Sequence, residues 1–426
     1  MSLSNYKFQP FRFEEGQRSA LLVHRETGIP LYYQNLYITL HHFKKACSIN
    51  TIKAVLLALG QLADICDLMK LDIEKRFKDG QVLTISEIEL IATWLMKPVE
   101  RIYEAKSMES ASNIVLLKQK KIKLAKFTVL IDEDLVKPET AYNRIWFITE
   151  YLTWLASRFT SANSIDIDKM KMRFHRQLPT KINRFNDNRN FKSLGDQEKI
   201  AMLELLEINS KNNPWKDEAV KFRNKLIVHI LLYIGCRKGE LLTLRATEIN
   251  PNDRLLRINR LVDSVDDNRT TPALVKTLGR DIEVNDTLHV LIQDYILKYR
   301  SKVKGANKTP YLFISHQNGA GNAKPLSHSS VDSIFKDMSD NLGFNVFPHA
   351  LRHTWNDKLS EDVEVFLESG ELTASEVEDL RSYLMGWKGG SESAKFYTRQ
   401  YEQKKAMRVG LYLQKRAHET DKQLMM

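Results

Sequence analysis

Apolar side chains recur every three or four residues between positions 50 and 155, which is the period of helices that bury one face. Asn50 is placed to cap the first helix, Thr84 and Glu87 form the capping box of a second, and Pro138 begins a third. The predicted inward positions are Ile52, Val55, Leu56, Leu59, Leu62 and Ile65 in the first helix, and Tyr142, Ile145, Ile148, Leu152 and Leu155 in the third. The pattern predicts an all-helical region, as it would for any small helical bundle.

The pattern changes in the second half of the chain, where short strand-like pieces stand between helices. Pro214 begins a predicted helix that ends near Gly235, and Leu255–Ile258 and residues 282–284 have strand character. The predicted inward face of the helix consists of Ala219, Phe222, Leu226, Ile230 and Tyr233. The sequence therefore predicts a mainly α, two-domain fold, whose second domain is α-rich and contains a small antiparallel β-sheet.

A basic stretch at residues 169–192, whose only acid is Asp187, separates these regions. Pro179 and the asparagine-rich run 183–190 break its regularity, so we predict an interdomain linker. The chain then divides into an N-terminal arm (1–30), a helical region (31–168), the linker (169–192), a second domain (193–416) and a C-terminal tail (417–426).

Two basic stretches are candidates for contact with a phosphate backbone, which Lys and Arg side chains commonly bind. The usual role of such runs is a solvated charged surface. The position of the second stretch, directly before the second domain, favours nucleic-acid contact instead. The candidates are Lys118, Lys120, Lys121 and Lys123 in the first region and Lys169, Lys171, Arg173, Arg176, Lys181 and Arg184 in the linker.

Length and composition narrow the function classes. The 426 residues suffice for two or three domains, and 64 Lys and Arg against 53 Asp and Glu leave a net charge of +11, which favours an anionic partner. Charge alone fits a basic protein with a solvated surface equally well. Three widely separated cysteines, Cys47, Cys66 and Cys236, argue for a reducing compartment and against a disulfide framework or a zinc site. Without a membrane-length apolar run or a signal-peptide pattern, we expect a cytoplasmic protein, nucleoid-associated in a prokaryote.

Two arginines and a tyrosine in the second domain stand in distinctive local sequences. Arg237 lies in IGCRKGELL, Arg352 lies in PHALRHT, and Tyr397 follows the segment LMGW by nine residues. A guanidinium is a permanently charged planar fork that pairs with two phosphate oxygens. A tyrosine hydroxyl has a pKa of about 10 and needs a general base, which His349 could supply. Together these groups are suited to holding a phosphodiester and attacking its phosphorus.

These segments resemble the sequence boxes of the tyrosine recombinases, the phage-integrase type of site-specific DNA recombinase. Gly235–Leu241 resembles the first box, His349–Thr354 matches the second, and Leu384–Tyr397 resembles the third. The boxes occur in family order, and the resemblance covers roughly residues 190–415. It implies a helical core-binding domain followed by a catalytic domain. It also implies an enzyme that cleaves and rejoins DNA through a 3′-phosphotyrosyl intermediate, with neither a cofactor nor a metal.

The resemblance implies a role for each matching residue. Arg237 and Arg352 would clamp the scissile phosphate, and His349 would take the proton of the nucleophile. Trp387 stands where many members have a second histidine, and its indole N–H can donate to a phosphate oxygen. Tyr397 would be the nucleophile.

The family also uses a lysine on a β-hairpin to protonate the leaving 5′-hydroxyl. Apolar alternation around a glycine predicts this hairpin at Val275–Ile282, with Lys276 as the acid. Arg280 is less suited because arginine does not release its proton. Glu240 lies one helical turn after the first arginine and could orient it, and His353 completes the second box in a supporting role.

Simpler interpretations exist for some of these positions. His349 and His353 have the spacing of a helical zinc site, but neither an HExxH segment nor a nearby cysteine supports a metal. Tyr383 and Tyr401 are rivals of Tyr397 as the nucleophile, which spacing favours.

One segment departs from the family pattern. An acidic stretch at residues 361–379, between the second and third boxes, is longer than is usual in the family. It predicts an added helical excursion in which Gly370 is a break.

The resemblance implies double-stranded DNA as the partner and a homo-oligomer, a tetramer on DNA, joined through the basic amphipathic helix at 404–415. Accessory proteins are also compatible with it, and no membrane contact is expected. Two alternatives remain. One is a related DNA breaker-joiner, a type IB topoisomerase or a hairpin telomere resolvase. The other is a catalytically silent DNA-binding accessory factor, against which the complete set of site residues argues.

Overall fold

The computed structural model describes residues 4–45, 47–112, 134–159, 164–180, 193–249, 252, 254–260, 267–269, 272–273, 275, 277–316, 323–388 and 409–410. The chain forms two compact units, Met1–Asn186 and Asp187–Met426. The division falls inside the segment for which we predicted a linker. Among the helices of the described ranges, none is both long and apolar enough to cross a bilayer.

The first unit consists of a β-hairpin followed by helices. Its strands are β1 (Tyr6–Arg12) and β2 (Arg18–His24), which pair antiparallel with Tyr6 opposite His24. Its helices are α1 (Tyr32–Ile38), α2 (Ile49–Met69), α3 (Ile73–Lys78), α4 (Ile85–Met96), α5 (Val99–Ser112), α6 (Pro138–Phe159) and α7 (Ser164–Arg176). The hairpin lies within the segment expected to be an arm, and Ala20 and Leu22 of β2 are buried in the helical core.

Helix α2 is at the centre of this core, and all six of its predicted inward residues are buried. The predicted cap Asn50 is wrong. Ser48 caps the helix, because its side chain accepts a hydrogen bond from the backbone N–H of Thr51. The capping box of Thr84 and Glu87 is present. In α6 the predicted inward face is buried except for Tyr142, which is half-buried.

The second unit contains helices around a second core, with one two-stranded sheet. Its elements are α8 (Asp196–Leu205), α9 (Glu218–Ile234), α10 (Lys238–Thr243), β3 (Leu255–Ile258), β4 (Arg280–Glu283), α11 (Asp286–Asp294), α12 (His328–Leu342), α13 (Pro348–Glu368) and α14 (Ala374–Met385). The mainly α fold with small antiparallel sheets confirms the predicted fold class.

Two local predictions about α9 are wrong. The helix begins at Glu218 and not at Pro214, because the side chain of Asp217 accepts from the backbone N–H of Val220 and caps it. Tyr233, predicted to be inward, is 49% exposed. The rest of the helix supplies the centre of the second core, with Leu226, Ile227, Ile230 and Leu231 fully buried.

The acidic stretch between the second and third boxes is helical, as predicted. It continues α13 to Glu368, breaks at Gly370, where φ is +75°, and resumes in α14 after the capping box of Thr373 and Glu376. The acidic stretch therefore forms the end of α13 and the start of α14, the helix whose end carries the third box.

Candidate active site

The turn between α9 and α10 carries Arg237. Gly235 ends α9 with a left-handed φ of +66°, and a Cβ on this residue would lie 2.6 Å from Cδ2 of Trp355. Only glycine combines this conformation with so close an approach. The indole Nε1 of Trp355 donates to the carbonyl of Tyr233 at 2.9 Å, which fixes the indole against the turn. Arg237 follows as the N-cap of α10, and its side chain remains 32% exposed.

Glu240 lies beneath this turn and is 1% exposed. Its Oε2 accepts from the backbone N–H of Arg237 at 3.0 Å, and its Oε1 lies 3.5 Å from Nη1 of the same residue. The carboxylate thus contacts both the backbone and the guanidinium of Arg237. This is the placement expected of a residue that orients the arginine.

The same carboxylate receives two further hydrogen bonds from the segment that follows Lys276. Oγ1 of Thr277 donates to Oε1 of Glu240, and Nη2 of Arg280 donates to Oε2 at 2.8 Å. Lys276 lies outside the described residues, and its neighbour Thr277 is buried at the site.

The predicted hairpin at Val275–Ile282 is wrong in its pairing. Strand β4 pairs with β3, which lies well before it in the chain, so that Arg280 is opposite Ile258 and Glu283 is opposite Leu255. The connection between the paired strands therefore runs from residue 259 to residue 279, and the glycine that suggested a tight turn is its last residue. Lys276 falls on the segment that joins β3 to β4.

Arg352 joins the first and third boxes. It lies in the second turn of α13, and only 1% of it is exposed. Its Nη1 donates to the carbonyl of Gly235 at 2.6 Å, and its Nη2 donates to the carbonyl of Met385 at 3.0 Å. Since these carbonyls belong to the turns that precede Arg237 and Trp387, Arg352 brings all three boxes together.

The turn after α14 carries Trp387. Gly386 ends the helix with φ of +64°, and its carbonyl accepts from the backbone N–H of Leu278 at 3.0 Å. Trp387 is 6% exposed and packs with Met385 and Trp355. The guanidinium carbon of Arg352 lies 5.7 Å from the centre of the Trp387 ring, within cation–π range. Trp387 therefore packs in the core and also contacts an arginine of the site.

His349 and His353 lie on successive turns of α13. Their ring centres are 4.5 Å apart and the rings are nearly perpendicular, at 78°. His349 follows Pro348 at the start of the helix, one turn before Arg352. Among the described residues no group of three or more His, Cys, Asp or Glu side chains could hold a metal ion.

The electrostatics of the site favour an anion. Burial raises the pKa of Glu240, but the nearby guanidiniums of Arg280 and Arg352 outweigh it, so the net pKa is lowered and the carboxyl is ionised. Burial raises the pKa of Cys236 to about 12, so its thiol is neutral. Three guanidiniums, those of Arg237, Arg280 and Arg352, therefore surround one carboxylate. Nη1 of Arg237 and both Nε and Nη1 of Arg280 are buried without a hydrogen-bond acceptor among the described residues.

The structure thus places Arg237, Glu240, His349, Arg352, His353 and Trp387 on neighbouring turns of the second unit. The sequence did not reveal Thr277 and Trp355 as parts of this arrangement. Each is an ordinary residue type whose role depends on a partner far away in the chain. Tyr397 and Tyr401 lie outside the described residues, and the hydroxyl of Tyr383 donates to the carbonyl of Asp281.

Of the ten basic candidates for DNA contact, four lie on the described helix α7. Lys169 and Arg176 are exposed, whereas Lys171 and Arg173 are half-buried. Lys169 forms an exposed ion pair with Asp166, and Lys171 forms one with Glu150 at 2.9 Å. The candidates outside the described residues are Lys118, Lys120, Lys121, Lys123, Lys181 and Arg184.

Residues 200–364 match the sequence model of the phage integrase family, which spans the first two boxes. This match confirms the predicted family and defines the second unit as carrying a phage integrase domain. The integrase domain at residues 200–364 supports the predicted activity of a site-specific DNA recombinase. A search of curated protein sequences found no match.

Several solved structures are similar to this chain. XerA recombinase is 15% identical, with 88% of this chain and 98% of that chain covered and a TM-score of 0.35. XerH recombinase bound to its difH substrate is 13% identical, with 82% and 96% covered and a TM-score of 0.41. The Tn1549 transposon integrase with circular-intermediate DNA is 17% identical, with 72% and 97% covered and a TM-score of 0.36.

Proposed function

We propose that this recombinase cleaves and rejoins duplex DNA at a specific site, with Tyr397 as the nucleophile. The observation that supports this most is the arginine cluster. Arg237 and Arg352 are joined through Gly235, and the buried Nη1 of Arg237 has no acceptor in the described part of the chain. A phosphodiester would supply the missing acceptor and the missing negative charge.

In the proposed reaction, the phenolic oxygen of Tyr397 attacks the phosphorus while the bond from phosphorus to the 5′-oxygen breaks. His349 takes the phenolic proton, and Lys276 donates a proton to the leaving 5′-oxygen. Arg237 and Arg352 stabilise the charge on the non-bridging oxygens. Attack by a 5′-hydroxyl on the phosphotyrosine reverses these steps and rejoins the strand, so the energy of the ester bond is conserved.

Double-stranded DNA is the proposed partner. The XerH and Tn1549 integrase structures contain DNA, and the net charge of +11 gives this chain a strong polyelectrolyte attraction to it. The exposed cations of α7, together with the other basic candidates, would contact backbone phosphates. We further propose a tetramer on DNA, joined through residues 404–415 and aided by accessory proteins, acting in a prokaryotic cytoplasm at the nucleoid.

The test uses a nicked duplex selected from a randomised library by binding to the protein. Loss of the short fragment beyond the nick prevents rejoining, so cleavage leaves a covalent protein–DNA adduct that resists detergent. Tyr397→Phe should abolish the adduct and leave duplex binding within about twofold, because no cationic group is removed. Tyr383→Phe and Tyr401→Phe are the matched controls and should still form it.

An adduct with Tyr397→Phe would overturn the assignment of the nucleophile. Absence of an adduct with the unmodified protein would favour a silent DNA-binding factor. Relaxation of supercoiled plasmids that lack the selected site would indicate a type IB topoisomerase.

A further inference from the structure

Arg280 is a buried cation for which the proposed reaction has no use. It begins β4, and both its side chain and that of Glu240 are 1% exposed, with Nη2 of Arg280 donating to Oε2 of Glu240 at 2.8 Å. The side chain of Arg237, by contrast, is 32% exposed. A DNA phosphate could therefore approach Arg237 from solvent, whereas the guanidinium of Arg280 points into the protein.

The guanidinium of Arg280 also fills the space beside Gly386. A Cβ on Gly386 would lie 2.5 Å from Nη1 of Arg280 and 2.9 Å from Cβ of Thr277. The backbone N–H of Leu278 donates to the carbonyl of Gly386 at 3.0 Å. The segment 277–280 is therefore held on one side by the third-box turn and on the other by Glu240.

This arrangement fixes the backbone directly after Lys276. Thr277 is held by its hydrogen bond to Glu240, and Arg280 is held by its ion pair to the same carboxylate. The fixed segment 277–280 directly follows the proposed proton donor in the chain. The same carboxylate also contacts Arg237. The buried pair of Arg280 and Glu240 thus fixes the segment 277–280, which follows Lys276, relative to Arg237.

We propose that Arg280 is a positioning residue, which acts through Glu240 and against Gly386 to hold the Lys276 segment in register with Arg237. This inference rests on the proposed function. Arg280 contacts neither the phosphate nor the leaving group, and its contribution to the rate is the placement of the proton donor.

The test compares two leaving groups on the selected duplex. One substrate has the natural 5′-oxygen, and the other has sulfur at that bridging position, which leaves as a thiolate without needing a proton. Arg280→Met keeps the length of the side chain and removes its charge and donors. Cleavage of the oxygen substrate should fall by roughly tenfold or more relative to cleavage of the sulfur substrate, since general acid catalysis contributes about 10²–10⁴-fold.

Lys276→Ala is the positive reference and should show the largest preference for sulfur. If Arg280 acts through Lys276, its loss has little further effect once Lys276 is absent. Adding Arg280→Met to Lys276→Ala should therefore change the preference for sulfur by less than about twofold. Arg300→Met is the matched control. Arg300 is a buried arginine of the same unit that donates to the carbonyls of Thr309 and Tyr311, away from the site. Its loss should lower stability without changing the ratio of the two rates.

Thermal unfolding must first show that Arg280→Met is folded. If it is not, Arg280→Lys keeps a cation for Glu240 but has no fork, and it should show a smaller preference for sulfur. Equal losses on both substrates in a folded variant would overturn the positioning role and leave Arg280 as a stabilising residue only. Absence of an adduct from the unmodified protein on either substrate would instead overturn the proposed function, and this inference with it.

Discussion

Each unit of this protein contains a buried carboxylate, Asp64 in the first and Glu240 in the second. Acidic groups outnumber cations around Asp64, whereas cations outnumber acidic groups around Glu240. In the first unit, Asp64 is 1% exposed and accepts from Oγ of Ser4, the backbone N–H of Asn5 at 3.2 Å and Nζ of Lys106 at 2.7 Å. Lys106 also pairs with Asp67 at 3.1 Å. In this cluster two carboxylates share one ammonium.

In the second unit the ratio is reversed, because Glu240 pairs with the guanidiniums of Arg237 and Arg280 and is also close enough to Arg352 for that charge to lower its pKa. The first cluster fastens the segment before β1 to α2 and α5, and it needs nothing from outside the protein. The second has buried donors without acceptors among the described residues. The comparison teaches that a balanced buried ion pair indicates a structural role. An excess of buried cationic donors indicates instead that the site binds a negatively charged ligand.

The sharpest way to test this difference is to remove a cation from the second cluster. Arg352→Ala should lower the rate of covalent adduct formation by roughly 10²–10³-fold, the usual cost of losing one oxyanion donor. The measurement is the initial rate on the nicked duplex with saturating protein. Arg352→Lys keeps the charge but not the fork, and it should recover only part of the rate. An unchanged rate in Arg352→Ala would show that the cluster is structural, like that around Asp64.

Removing the cation of the first cluster should affect stability and not catalysis. Lys106→Met leaves Asp64 buried without its cation, so the free energy of unfolding of the first unit should fall by about 3 kcal/mol. Urea titration followed by circular dichroism measures this change. The rate of adduct formation per folded molecule should stay within about twofold. A rate loss as large as that of Arg352→Ala would contradict the distinction between the clusters.

The pH dependence of the free energy of unfolding should differ between the unmodified protein and the variant Glu240→Gln, which has no ionisable carboxyl at this position. The pKa of Glu240 is lowered below its ordinary value of 4.5, so the folded state binds fewer protons than the unfolded state. Its stabilising contribution is therefore complete above pH 4.5 and is lost as the pH falls through the lowered pKa. Glu240→Gln should flatten the fall in stability below pH 4.5, measured by circular dichroism during urea unfolding. An equally steep fall in the variant would show that other carboxyls cause it.

Removal of metal ions should have the smallest effect. In the proposed reaction Arg237 and Arg352 meet the phosphate charge, so cleavage in EDTA should proceed at the rate found with magnesium, within about twofold. Duplex binding in the same buffers is the control for changes in ionic strength. Loss of cleavage with binding intact would show that the guanidiniums are not sufficient.

Much of the fold and the chemical identity of the site could be predicted from local sequence. The helices of both cores follow from apolar periodicity, and Gly235 and Gly386 occupy helix-ending positions that local motifs indicate. The cap at Asn50 and the helix start at Pro214 were predicted wrongly, because several nearby polar residues compete to cap a helix. The hairpin at residues 6–24 was missed. Its strand β1 is partly exposed and lacks a clear alternation, and its pairing with β2 and packing against α2 hold it in place.

The sequence by itself determined which groups we propose to act on a phosphodiester: Arg237, Lys276, His349, Arg352 and Tyr397. These groups lie in short motifs whose composition is independent of the rest of the chain. Only the tertiary structure decided how the described members are held, because the decisive contacts join distant residues. Glu240 binds Arg280, and Arg352 joins Gly235 to Met385. No local pattern encodes such partners. The sequence shows an arginine in the same way whether it is buried or exposed, and only the packing of the folded chain decides which arginine loses its contact with water.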